Sequence, residues 1–127
     1  MKRVVIADDD EVARAFITVK MRQSGFVVTA VNDGPAALLA VAQTKPDLVI
    51  LDVVMRGLDG LEVLKRLKAN ADTKAVPVVL MSARHDRATV EQAKALGASD
   101  YIIKHFLSED VISHLRKLMA GGATDAV

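Results

Sequence analysis

The sequence contains no cysteine and no tryptophan, and only 3% of its 127 residues are aromatic. Without cysteine the chain has neither a disulfide framework nor a thiol nucleophile, which fits a reducing compartment. Because 51% of the residues are apolar and so few are aromatic, we expect an interior of aliphatic side chains. A chain of this length is expected to fold as one domain with its own core.

An excess of charge of one sign is also missing, as are long apolar runs. The formal net charge is +1, which predicts no direct nucleic-acid partner. No apolar run reaches the roughly 20 residues that span a bilayer, and no basic-then-apolar leader is recognisable. We therefore expect a cytoplasmic domain without membrane insertion.

What the chain does contain is a fivefold alternation of short apolar runs and longer amphipathic stretches. The short runs predict strands at Val4–Ala7, Phe26–Val31, Leu48–Leu51, Val76–Met81 and Tyr101–Ile103. The amphipathic stretches predict helices at Glu11–Ser24, Pro35–Thr44, Gly60–Asn70, Arg87–Leu96 and Ser108–Met119. This alternation indicates βα units with right-handed crossovers and a parallel sheet. In the first helix, Val12, Phe16 and Val19 are predicted to form the buried stripe.

Acidic side chains follow two of the predicted strands at the point where each strand ends. Asp8, Asp9 and Asp10 follow the first strand, and Asp52 follows the third. In an open α/β sheet, ligands bind at this edge. Two carboxylates about 5 Å apart repel by about 3 kcal/mol at an effective dielectric constant of roughly 20. If the strands are neighbours, the cluster suits a hard cation, a reactive carboxylate, or both.

Two other strand ends carry polar groups of complementary chemistry. Ser82 follows the fourth strand and Lys104 follows the fifth. Carboxylates suit Mg²⁺, whereas a hydroxyl and an ammonium group suit the oxygens of a phosphoryl group. A remaining carboxylate can accept that group as a nucleophile. The residues themselves therefore indicate phosphoryl chemistry at one edge of the sheet.

Four segments, in order, resemble the receiver domain of two-component response regulators in its single-domain, CheY-like form. They read V-V-I-A-D-D-D-E, D-L-V-I-L-D-V-V-M-R-G-L-D-G-L-E-V-L, P-V-V-L-M-S-A and G-A-S-D-Y-I-I-K. The resemblance implies a receiver domain over residues 1–120 and a flexible tail over residues 121–127. It also implies a doubly wound, flavodoxin-like α/β fold, with a five-stranded parallel sheet of order 2-1-3-4-5 and five helices on its two faces. In that order the two acidic strands are neighbours.

The resemblance also assigns roles to single residues. Asp52 is implied as the phosphoacceptor, with Ser82 and Lys104 holding the phosphoryl oxygens. The ligands implied for Mg²⁺ are the carboxylates of Asp8, Asp9 and Asp52 and the backbone carbonyl of Val54. Tyr101 matches the switch aromatic of the family, and Asp10 matches a position that is not a ligand, which predicts a loop charge or a helix cap.

The implied function is that of a phosphoryl-accepting switch in a two-component system or phosphorelay. The implied donor is a sensor histidine kinase or a histidine phosphotransfer protein, and the output is a downstream protein that the sequence does not identify. Such a domain assists its own phosphorylation and dephosphorylation and is not otherwise an enzyme.

Several positions depart from the family's pattern. His105 replaces the usual proline after Lys104, and because a cis bond before a non-proline residue costs about 3–4 kcal/mol, we expect a trans peptide there. Arg56 replaces the proline of the M-P-G motif, and its side chain is expected in solvent. Val54 and Arg84 occupy the two positions that modulate dephosphorylation in the family. Since the Val54 side chain cannot orient an attacking water, a long-lived phosphoryl group is expected.

Two other functions are open at this point. A receiver-like module that docks without phosphate is compatible with the missing proline at His105. A phosphatase of the haloacid dehalogenase type would use Asp8 as nucleophile and Asp10 as general acid, although such enzymes are longer and need a late acidic pair that this chain lacks. A flavodoxin-type cofactor site is disfavoured, because the three aspartates after the first strand would repel a phosphate.

Overall fold

The computed structural model describes residues 2–83, 86–103 and 113. The strands within these ranges are β1 Arg3–Ala7, β2 Val27–Val31, β3 Leu48–Asp52, β4 Val78–Ser82 and β5 Asp100–Ile103. The helices are α1 Glu11–Gln23, α2 Gly34–Thr44, α3 Gly60–Ala69 and α4 Arg87–Ala95. Apart from Ser113, the predicted fifth helix and the predicted tail lie outside the described residues.

The five strands form one parallel sheet of order β2-β1-β3-β4-β5, as predicted. All residues of β3 and β4 are buried, because helices cover both faces of the sheet and the strands are apolar on both. Strand β4 begins at Val78 rather than at the predicted Val76. The N–H of Val76 donates to the carbonyl of Thr73, and Pro77 has no N–H to offer to a ladder.

The core consists of two apolar clusters, one on each face of the sheet. Alternate residues of a strand point to opposite faces, so that Val4 and Ile6 pack with α1 whereas Val5 and Ala7 pack on the other face. The second cluster includes buried residues of all three other described helices, for example Ala37, Leu64 and Ala93. Within the described ranges, no helix has the length and apolar character needed to cross a membrane.

The predicted buried stripe of α1 is wrong for two of its three residues. Val12 is 79% exposed and Val19 is 50% exposed, while Phe16 is partly buried. The apolar residues buried instead are Ala13, Ile17 and Met21. Both sets recur at helical spacing, so the periodicity does not distinguish them. The fold decides between them, because α1 packs on the sheet through Ile17 and Met21.

Candidate functional site

Three carboxylates meet at the carboxyl edge of the sheet. Strands β1 and β3 are paired so that Ala7 lies opposite Leu51, which places the next residues, Asp8 and Asp52, on neighbouring strands. Asp9 joins them, and one carboxylate oxygen from each of the three residues lies within 4.8 Å of the others. Asp8 is only 3% exposed and Asp52 only 6%. The cluster is therefore part of the fold rather than an accident of exposed loops.

Backbone contacts hold Asp8 in place from three directions. Its N–H donates to the carbonyl of Val31 on β2 at 3.1 Å. Its Oδ1 accepts the N–H of Asp10 at 2.9 Å, and its carbonyl accepts Nη1 of Arg14 at 2.8 Å. The turn that carries the first two carboxylates is thus attached to both the sheet and α1.

Asp10 caps α1 and does not join the cluster. Its Oδ1 accepts the N–H groups of Val12 and Ala13 at 3.0 and 3.4 Å, as an N-cap residue does. This is one of the two roles predicted for it. The same contacts do not support the phosphatase alternative, which needs the Asp10 carboxyl as a general acid facing the substrate.

The loop after Asp52 packs closely on the strand. The N–H of Val54 donates to Oδ1 of Asp52 at 3.3 Å, and the Val54 side chain is 53% exposed. The N–H of Gly60 donates to the carbonyl of Val53 at 2.8 Å, and a Cβ at Gly60 would collide with the backbone carbonyl of Asp52. Only glycine therefore allows α3 to start here.

A second glycine packs the same loop from the other side. Gly34 begins α2, and its N–H donates to the carbonyl of Arg56 at 3.3 Å. A Cβ at Gly34 would collide with Leu58. The Arg56 side chain is exposed, as predicted. The sequence reasoning missed Gly34 and Arg14, because each acts through a contact that is distant in sequence or made to backbone.

The remaining predicted residues lie on the neighbouring strands. Ser82 is 1% exposed and ends β4, one residue beyond Met81, which pairs with Asp52. Tyr101 of β5 pairs with Leu80 of β4. It is half-buried and packs against the apolar core cluster on the face of the sheet that α2 covers. Lys104, His105 and Arg84 lie outside the described residues, so the structure gives no position for the predicted ammonium group.

The donor set of the cluster fits a hard divalent cation. At 4.8 Å or less, each pair of ionised carboxylates repels by about 3 kcal/mol at an effective dielectric constant of roughly 20, and a bound cation removes that cost. Carboxylate oxygens are the ligands Mg²⁺ prefers, and Mg²⁺ retains several waters. Asp9 is only partly buried, which is compatible with a cation that keeps part of its water shell.

A cavity of about 620 Å³ lies beside the cluster rather than over it. It is bounded by Val54 and Met55 of the loop and by Thr89 and Gln92 of α4, and none of the three clustered carboxylates lines it. The groove between α3 and α4 is thus separate from the acidic site, although both adjoin the loop after Asp52.

Comparison with known proteins agrees with the fold. The family sequence model of the response regulator receiver domain matches residues 4–116 of this chain. The chain therefore belongs to the family of response regulator receiver domains, and the resemblance read from the four sequence segments is confirmed.

Among the relatives is MtrA of Mycobacterium tuberculosis (strain H37Rv), a DNA-binding response regulator. It is 34% identical over 115 residues, which cover 91% of this chain and 49% of MtrA. The sensory transduction protein RegX3 of Mycobacterium tuberculosis (strain CDC 1551) is 33% identical over 125 residues, covering 98% of this chain and 54% of RegX3. The chain thus spans about half the length of these two relatives.

A solved structure with the same fold is that of the phosphorylated cyanobacterial phytochrome response regulator RcpA. It is 25% identical to this chain and superposes with a TM-score of 0.88, covering 97% of this chain and 96% of RcpA.

Proposed function

We propose that this domain is a phosphoryl-accepting switch in which Asp52 takes the phosphoryl group from a phosphohistidine in a Mg²⁺-dependent reaction. The observation that carries the proposal is the convergence of Asp8, Asp9 and Asp52 at the edge where β1 and β3 end. Membership in the receiver family supports it, as does the phosphorylated state of the relative RcpA.

In this reaction a carboxylate oxygen of Asp52 attacks the phosphorus atom of the donor. An O–P bond forms, the P–N bond breaks, and the electron pair returns to the imidazole nitrogen, which takes a proton from solvent. The Val54 N–H orients the carboxylate from 3.3 Å. Mg²⁺, when held by Asp8, Asp9, Asp52 and the carbonyl of Val54, offsets the negative charge of the carboxylates and of the phosphoryl oxygens.

The response to phosphorylation is assigned to three further residues. Ser82 and Lys104 bind phosphoryl oxygens through a hydroxyl hydrogen bond and an ion pair, and Tyr101 changes its packing when Ser82 moves toward the phosphoryl group. Ser82 and Tyr101 lie on adjacent strands, which supports a path between them. The domain assists its own modification and acts as a switch rather than as an enzyme on other molecules.

The proposed donor is a protein, either a sensor histidine kinase or a histidine phosphotransfer protein. Membership in the response regulator family, whose members interact with histidine kinases, supports a protein donor. The output is a downstream protein. DNA binding is a property named for MtrA, and no direct DNA contact is proposed for this domain. We also propose that residues 1–120 form the receiver domain and that the protein is located in the cytoplasm.

The test is mass spectrometry of the intact protein after incubation with acetyl phosphate and Mg²⁺. We expect the mass of one phosphoryl group to be added, with the addition lost when Mg²⁺ is chelated. Asp52→Asn should abolish it, because an amide is not a nucleophile toward phosphorus. The matched control is Asp72→Asn, which removes an exposed aspartate from the loop after α3 and should still be phosphorylated.

Two outcomes contradict the proposal. A phosphoryl group that is added equally to Asp52→Asn assigns the acceptor elsewhere. No addition to the unsubstituted, folded protein, from acetyl phosphate or from a phosphorylated histidine protein, favours the docking module that works without phosphate.

A further inference from the structure

Arg14 makes an unusual contact for a residue on the first turns of a helix. Its Nη1 lies 2.8 Å from the backbone carbonyl oxygen of Asp8, so the side chain points back from α1 to the turn that leaves β1. This carbonyl lies beyond the last residue pair of the β1–β3 ladder, Ala7 with Leu51. It belongs to a buried residue, and the guanidinium gives it a charge-assisted hydrogen bond.

The consequence of this contact is geometric. The carbonyl of Asp8 is part of the peptide plane that joins Asp8 to Asp9, and a peptide unit is rigid. Fixing its oxygen therefore restrains the positions of the N and Cα atoms of Asp9, from which the Asp9 side chain departs. The N–H of Asp10, which donates to Oδ1 of Asp8 at 2.9 Å, holds the Asp8 carboxylate from the same turn. The two contacts together restrain the turn that carries two of the three clustered carboxylates.

We propose that Arg14 is a positioning residue for the cation site, although it contributes no ligand. The inference rests on the proposed function, since it assumes that Asp8 and Asp9 hold Mg²⁺. The positive charge of Arg14 opposes the cation, so the positioning role and simple electrostatics predict opposite results when the charge is removed. The direction in which Mg²⁺ affinity changes therefore distinguishes the two explanations.

A matched control exists on the same helix. Nη2 of Arg22 donates to the backbone carbonyl of Val28 at 3.2 Å, so that both arginines carry the same charge and bind one strand-side carbonyl. Arg22 lies eight residues further along α1, which is about 12 Å at 1.5 Å per residue. Arg14→Met and Arg22→Met therefore remove equivalent groups, and only Arg14 lies at the acidic turn.

The experiment measures the dissociation constant of Mg²⁺ by calorimetry on the unphosphorylated protein, with circular dichroism as a check of folding. We expect Arg14→Met to weaken Mg²⁺ binding about tenfold, the lower end of the effect of lost outer-shell partners, and Arg22→Met to change it by less than about twofold. Arg14→Gln, which keeps an amide donor without the charge, should recover part of the loss. With acetyl phosphate, Arg14→Met should raise the Mg²⁺ concentration for half-maximal rate and leave the rate at saturating Mg²⁺ nearly unchanged.

Unchanged or tighter Mg²⁺ binding by a folded Arg14→Met protein overturns the positioning role while leaving the proposed function intact. Equal weakening by Arg22→Met also overturns it, because the effect is then general to the helix. If Arg14→Met does not fold, Arg14→Gln and Arg22→Gln provide the same comparison with the same two readings. Absence of Mg²⁺ binding by the unsubstituted protein contradicts the metal site itself, and both proposals with it.

Discussion

Charged side chains have different roles at the amino edge of the sheet, where the strands begin, and at the carboxyl edge, where they end. At the amino edge, charged side chains are used to satisfy backbone groups: Oδ2 of Asp47 accepts the N–H of Arg3 at 2.8 Å, and Nζ of Lys68 donates to two carbonyls, those of Lys74 and Val76, at 2.9 and 2.8 Å. At the carboxyl edge, three charges of the same sign are gathered within 4.8 Å.

The difference separates stability from function within one sheet. The amino edge pairs each of these charges with a backbone partner, and we expect substitutions there to lower stability without affecting ligand binding. The carboxyl edge concentrates repulsion among the three carboxylates, which a bound cation relieves, and we expect removal of a charge there to raise the stability of the metal-free protein while weakening its function.

The largest effect is expected from Gly60→Ala. A Cβ there meets the backbone carbonyl of Asp52, which no rotamer change relieves, so we expect a loss of about 3 kcal/mol in the free energy of unfolding together with loss of phosphorylation. The control is Gly25→Ala after α1, where φ is +93° and no atom lies within 4 Å of the added Cβ. There the cost is only that of the left-handed backbone, about 1 kcal/mol. Equal losses in urea denaturation would contradict close packing at the site.

Asp9→Asn tests whether repulsion among the clustered carboxylates lowers the stability of the metal-free protein. Among the described residues, no hydrogen bond to the Asp9 carboxylate is found, so the substitution removes mainly repulsion. We expect the free energy of unfolding, measured with a chelator, to rise by roughly 1–2 kcal/mol after screening by solvent, while Mg²⁺ binding weakens. Asp47→Asn at the amino edge should instead lower stability, by less than about 1 kcal/mol. A fall in stability for Asp9→Asn would mean that the cluster is not repulsive.

Lys68→Met addresses the amino edge alone. Loss of its two hydrogen bonds should lower the free energy of unfolding by about 1–2 kcal/mol, with phosphorylation and Mg²⁺ binding unchanged. Lys65→Met, an exposed neighbour on α3, serves as the control and should be nearly neutral. An effect of Lys68→Met on Mg²⁺ affinity would show that the two edges are coupled.

The same lysine predicts a pH dependence. Burial lowers the pKa of Lys68 below its ordinary value of 10.5, so the unfolded chain binds this proton more tightly than the folded one. Stability contributed by this group therefore rises with pH between the two pKa values, a window that ends near 10.5. The rise should be absent from Lys68→Met in denaturation measured across alkaline pH.

The smallest effect on stability is expected from Val54→Asn, because this side chain is half-exposed. Its effect should be on the lifetime of the phosphoryl group, since an amide beside Asp52 can orient an attacking water. We expect hydrolysis about tenfold faster, equivalent to about 1.4 kcal/mol of barrier. The decay of the phosphorylated protein after removal of acetyl phosphate measures it, with Val54→Ile as the control of similar polarity. An unchanged decay rate removes Val54 from the control of lifetime.

Much of the fold could be predicted because its central strands, β1, β3 and β4, are buried on both faces. Leu48–Leu51 is apolar without interruption, and β3 starts at the predicted residue and extends by one, to include Asp52. The acidic edge was predictable for the same reason, since polar groups that directly follow such runs must meet where parallel strands end. The stripe of α1 was not, because Val12 and Ala13 both begin apolar series at helical spacing.

The order of residues along the chain thus determined the class of fold, the edge that carries the chemistry and the identity of the clustered carboxylates. Tertiary structure alone decided which side of α1 is buried. It also decided that only glycine fits at Gly34 and Gly60, and that Arg14 reaches the carbonyl of Asp8. The physical reason is that the hydrophobic pattern and the strand order depend on the hydrophobicity and local geometry of each residue, which are properties of the residue itself. Close approach and contacts to backbone depend on which distant atoms the fold brings within a few ångströms.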